Sequence, residues 1–177
     1  MTRAYALTAD ENGRSREAAA GYEAVLQLNP TDLETTVNLV VLYWRMAGFQ
    51  GRIPGALPAE FPAHARRRLC ELLESASHRF ANSAEIRFWS RYIAAADSGE
   101  AFAPTECREL MRERPDYLEP AFVVFSDSEG TEAEPEAMRL LADYSEQPTA
   151  RGRYVTSIIS AALRKQRWRC PYEAAAV

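Results

Sequence analysis

The feature that most constrains this chain is a helix break that recurs. Between Glu17 and Leu28 the apolar residues Ala18, Ala19, Tyr22, Val25, Leu26 and Leu28 return at intervals of three and four, the period of a helix with one buried face. Pro30 ends that helix, because the residue before a proline is pushed out of the helical region. Thr31-Asp32-Leu33-Glu34 then starts a second helix, with Thr31 as the capping hydroxyl and Glu34 as its partner three residues on. Val37, Val40, Val41, Tyr43 and Trp44 mark its buried face. Two helices joined by so short a link fold back on each other.

Breaks of the same kind occur at Ala81, Pro115 and Pro148. Ala81 to Pro115 is 34 residues, Pro115 to Pro148 is 33, and Pro30 to Ala81 is 51, or 34 plus 17. The surplus falls on Gly48 to Pro62, where three glycines and three prolines in fifteen residues exclude a helix. Helices are expected at 3–11, 15–28, 32–47, 63–80, 84–97, 105–114, 118–126, 132–145 and 150–169. Asn82 with Glu85, Asp116 with Glu119 and Thr131 with Glu134 stand at capping-box spacing, and Pro120 lies in a first turn. The run AFVVF at 121–125 is short enough to be a buried strand, but its place in the repeat favours helix.

These residues resemble the tetratricopeptide repeat, a helix-turn-helix unit of about 34 residues. Gly13, Ala18, Tyr22, Val25 and Pro30 fall where that family places its glycine, small residues, aromatic and terminal proline. Asn38, Leu39 and Tyr43 match its N-L-G-x-x-Y element, with Val40 in the glycine's place. The resemblance implies an all-α, right-handed superhelix forming one domain over residues 1–177. Its units are 1–30, 31–81 with the inserted loop 48–62, 82–115 and 116–148, closed by a capping helix at 149–170.

In this family the first helix of each unit lines a concave groove that holds a partner protein or peptide. Carried over, that row is Arg3 and Leu7, Val37 and Val41, Phe88 and Tyr92, Phe122 and Ser126, with Asn38, Trp44 and Arg45 beside it. Aromatic and arginine side chains most often anchor interfaces, so the expected partner-binding residues are Val37, Asn38, Val41, Trp44, Arg45, Phe88, Tyr92 and Phe122. A subgroup of the family clamps a terminal carboxylate with Lys, Asn and Arg. Here Leu7, Glu85 and Trp89 occupy three of those positions, which excludes that activity.

Composition narrows the function further. A net charge of −4 calls for neither nucleic acid nor an acidic substrate. The amino terminus has no apolar run suited to a signal peptide or membrane span, so a cytoplasmic protein is expected. Cys70, Cys107 and Cys170, with His64 and His78, offer no compact ligand spacing, so no metal, cofactor or catalytic residue is expected. Residues 115–148 carry nine acids against one base, and residues 149–177 six bases against one acid. Arg66, Arg67 and Arg68 are consecutive and so point in different directions around their helix.

The reading is a non-enzymatic scaffold, adaptor or regulator. A bacterial immunity-type inhibitor that blocks a toxin with the acidic stretch 127–136 is a specific variant. The rivals are nucleic-acid binding through Arg151, Arg153, Arg164, Lys165, Arg167 and Arg169 with Trp168, and a homodimer through the terminal helix.

Overall fold

A computed structural model describes residues 2–48, 60–99 and 102–173, with side chains from 61 in the fourth helix and to 167 in the last. The described residues form nine helices and no strand: α1 Arg3–Glu11, α2 Ser15–Leu28, α3 Leu33–Gly48, α4 Glu60–Arg79, α5 Ala84–Ser98, α6 Pro104–Glu113, α7 Pro120–Asp127, α8 Glu134–Glu146 and α9 Ala150–Glu173. The all-α expectation therefore holds, and the breaks lie at Pro30, Ala81, Pro115 and Pro148 as the spacing requires. The run 121–125 is helical, opened by Pro120 in its first turn and buried at Ala121, Phe122, Val124 and Phe125. Most of the inserted segment, 49–59, lies outside the described residues, as do the side chains of Trp168, Arg169 and Cys170; Phe61 and Pro62 already belong to α4. No described helix is long and apolar enough to cross a membrane.

The starts of four helices differ from the capping boxes read in sequence. At α3 the cap is Asp32 rather than Thr31: its carboxylate accepts from the Thr35 amide at 3.0 Å and the Thr35 hydroxyl at 2.8 Å. At α5 it is Ser83 rather than Asn82, accepting from the Ile86 amide at 3.2 Å and donating to Glu85 at 2.7 Å. Before α7, Asp116 is held by Arg114 at 3.0 Å and Glu119 turns inward. Before α8, Ala133 takes the left-handed conformation and the Thr131 hydroxyl donates to the Ser128 carbonyl. Residue type alone marks a capping region; one residue of backbone phase decides which side chain reaches the free amides.

The chain divides into two compact units, residues 1–100 with 149–151 and residues 101–148 with 152–177. The dividing point falls between α5 and α6, the helices that the 34-residue spacing pairs. In the first unit α3 packs on α2, α4 and α5, and every residue from Thr35 to Tyr43 is buried. A helix covered on several sides reads as apolar nearly all round, which explains why LVVLY carries so few polar positions. The close approach of α1 and α2 falls at Gly21, where a Cβ would stand 2.8 Å from that of Ala6. Gly13, at φ +71°, supplies the left-handed turn between them.

The second unit packs α7 on α6 and α8. Val155, Ile159 and Ala162 form the buried stripe of α9, while Arg164, Lys165 and Arg167 are exposed. The Gln166 amide donates to the Gly130 carbonyl at 3.2 Å, tying α9 to the α7–α8 turn. Phe122 meets Tyr154 edge-on at 6.3 Å.

Candidate functional site

Helical periodicity places the expected partner-binding residues on α3, α5 and α7, and burial separates them into two sets. Val37, Val41, Phe88 and Phe122 are at most 1% exposed and Asn38 is 4% exposed. Asn38 also accepts a hydrogen bond from Arg151 at 3.4 Å. Such side chains fill the core and have almost no area left to bury against a partner. Trp44, Arg45 and Tyr92 are half-buried, so each offers part of its surface while its base is held.

Trp44 on α3 and Tyr92 on α5 meet edge-on at 5.9 Å. Tyr92 in turn stacks on Phe88 at 5.8 Å and meets Trp89 at 5.7 Å. The indole N–H of Trp44 donates to Asp97 at 3.2 Å, and the other oxygen of Asp97 lies 4.0 Å from Arg66. The surface pair is thus backed by a buried aromatic layer and oriented by a carboxylate. The spacing that generated it is legible: Phe88 and Tyr92 are four apart on α5, so the buried ring carries the half-open one above it.

A second feature lies between α2, α3 and α4. Arg68, Leu72, Ser75 and Arg79 recur at four, three and four along α4 and line a cleft of about 250 Å³. Glu23, Leu26 and Gln27 of α2 form its opposite wall, with Leu39 of α3 below. Glu23 anchors one end: its Oε1 accepts from the Tyr43 hydroxyl at 2.7 Å and from Arg68 at 2.7 and 3.0 Å. Burial pushes the Glu23 carboxyl up, but the hydrogen bonds from Tyr43 and Arg68 outweigh it and hold the group below its ordinary value. Burial, and then the hydrogen bond to Glu23, push the Tyr43 phenol well above 10.0, against the opposing effect of Arg68. Arg68 also bonds Glu71, whereas Arg66 points towards Asp97, so these two of the three consecutive arginines do diverge. The triplet Arg66, Arg67 and Arg68 stood out in sequence and this cleft did not; the i, i+4, i+7, i+11 stripe from Arg68 to Arg79 was the signal that marked it.

Two buried carboxylates complete the polar interior. Asp10 is 1% exposed and accepts from the Tyr22 hydroxyl at 3.0 Å and from the Ala150 amide at 2.7 Å. It thereby satisfies an open amide in the first turn of α9. Burial and then the Asp10 charge push the Tyr22 phenol well above 10.0. Glu119, 2% exposed, accepts from the hydroxyls of Tyr117 and Tyr144. Each carboxylate sits among donors that it satisfies, the arrangement of a structural network.

Cys70 is exposed and Cys107 buried, and both are free. Burial pushes the Cys107 thiol up to about 12, which keeps it protonated and unreactive. No group of three or more metal-ligating side chains occurs among the described residues. His64 and His78 are exposed, on successive stretches of α4. The chain matches no protein-family model, no curated protein and no solved structure.

Proposed function

We propose that this chain is a non-catalytic protein-binding module that engages a partner protein or peptide through Trp44, Tyr92 and Arg45. The observation that carries the reading is the Trp44–Tyr92 pair: two large rings, half-open, fixed by Asp97 and by the buried Phe88 and Trp89. Rigid aromatic groups lose little entropy on binding and contribute most where they are already positioned. The recurring helix breaks support a tetratricopeptide-like stacking of the helix pairs as the scaffold. The free thiols Cys70 and Cys107 suit a reducing compartment and so a cytoplasmic site of action.

The test is capture of partners from native lysate by the purified chain and by its Trp44→Ala/Tyr92→Ala variant, both matched for helicity by circular dichroism. A specific protein is expected to be retained by the unaltered chain and lost with the variant. For the purified pair, affinity should fall by at least about thirtyfold, the loss that a single anchor residue would already cause, since the variant removes two. Equal retention by both chains overturns the assignment of the site. Retention of nucleic acid alone, lost at raised salt, overturns the protein-binding reading itself.

A further inference from the structure

The cleft between α2, α3 and α4 carries two acids and two arginines unevenly placed: Arg68 pairs with both Glu23 and Glu71 and leaves that end one negative charge in excess, while Arg79 is the positive end. Glu23 and Glu71 line it with Arg68 and Arg79. Glu23 uses only one oxygen for its three donor contacts, and its Oε2 takes none among the described residues. Arg79 donates to the Pro30 carbonyl at 2.9 Å and the Ser75 hydroxyl at 3.2 Å, and no carboxylate among the described residues pairs with it. A guanidinium has five N–H donors, so Arg79 retains capacity for a carboxylate. Between these ends the lining is apolar, from Leu26, Leu39 and Leu72.

We propose that this cleft binds a small dipolar molecule of dipeptide size, with its amine at Glu23, its carboxylate at Arg79 and an apolar side chain over the leucines. A ligand of one net charge would leave one end of a neutral lining uncompensated; a zwitterion matches both ends. The spans agree. Arg68, which holds Glu23, reaches forward to Glu71 and Arg79 reaches back to Ser75, so the Glu23–Arg68 pair and the Arg79 guanidinium are separated by about four residues of helix, a rise of about 6 Å. Two residues of extended chain span about 7 Å. The volume of about 250 Å³ lies just below the range of drug-sized sites, which suits a molecule of this size. The site is distinct from the Trp44–Tyr92 surface and does not depend on that surface having a partner.

The experiment is an amide-resolved NMR titration of the full chain with leucyl-leucine, N-acetyl-leucyl-leucine, leucyl-leucinamide and glycyl-glycine, repeated with Arg79→Gln. Leucyl-leucine should saturate with Kd on the order of 0.1–1 mM, the range that ligand efficiency sets for so few atoms, with shifts at Leu26, Gln27, Leu72 and Ser75. Blocking either terminus should weaken binding about tenfold, as should removal of the side chains. Arg79→Gln should abolish discrimination between leucyl-leucine and its amide while leaving discrimination against the acetylated form. Absence of saturation by about 10 mM, or equal affinity for blocked and free forms, overturns the proposal. If Arg79→Gln unfolds the chain, the ligand series on the unaltered protein decides.

Discussion

Removing the carboxylate of Asp10 should loosen the start of the last helix and the α1–α2 hairpin together. Asp10 is 1% exposed, and its donors Tyr22 and Ala150 belong to residues 0% and 6% exposed, so water cannot replace it without opening the structure. Asp10→Asn keeps the shape and one carbonyl acceptor, but its amide group cannot accept the second donor. One unsatisfied buried donor costs about 1–3 kcal/mol. Loss of the negative charge at the amino end of α9 adds up to about 2 kcal/mol in a partly buried setting. The expected loss is about 3 kcal/mol, or about 6–12 °C in Tm for a chain of this size. Urea unfolding gives the stability, and hydrogen exchange of the Ala150 amide gives the local effect. Combining Asp10→Ala with Tyr22→Phe removes donor and acceptor together, so the double variant should recover at least about 1 kcal/mol relative to additivity. Strictly additive losses, or Asp10→Asn within about 0.5 kcal/mol of the unaltered chain, would refute the argument.

Gly21→Ala should destabilise even though alanine is the better helix former. The new Cβ meets Ala6 at 2.8 Å, and overpacking costs about 1–3 kcal/mol against a propensity gain of about 1 kcal/mol. A raised Tm would contradict the close approach. Alkaline stability should fall above pH 10. Tyr22 and Tyr43 hold their protons more tightly folded than unfolded, so their contribution is complete below the ordinary phenol value of 10.0 and declines as pH rises past it. The two together give a slope of about 1.4 kcal/mol per pH unit at pH 10, where the unfolded phenols are half ionised, rising towards a limit of about 2.7 above it. Tyr22→Phe should remove about half of that slope in urea midpoints measured between pH 9.5 and 11; an unchanged slope would remove the role given to burial and Asp10.

The helices and their breaks were determined locally. Pro30, Pro115 and Pro148 end helices wherever they occur, and the three-and-four spacing in Glu17 to Leu28 makes a buried face in any fold. Pro120 opens α7 for the same reason, since a first turn does not need its missing amide. The Gly21–Ala6 contact was less legible, because a glycine inside a helix does not announce which neighbour approaches it.

What only the tertiary structure decided is which face of each helix meets protein and which meets water. Val37, Val41, Phe88 and Phe122 share the chemistry and spacing of a groove lining, yet all four became core: α3 is covered by α2, α4 and α5, Phe88 faces inward on α5, and α7 is packed by α6 and α8 around Phe122. Trp44 and Tyr92 carry the same signal and stayed half-open. The same holds for charge. Glu119 stands at capping-box spacing and Asp10 in no motif, yet both became buried acceptors: Tyr22 and the Ala150 amide meet Asp10, and Tyr117 and Tyr144 meet Glu119. Arg68 and Arg79 lie along one face of α4, and only the placing of α2 and α3 beside that face makes a cleft of it. Periodicity is a property of one helix and can be read from its own residues; burial and pairing depend on the partners that packing brings, and those lie elsewhere in the chain.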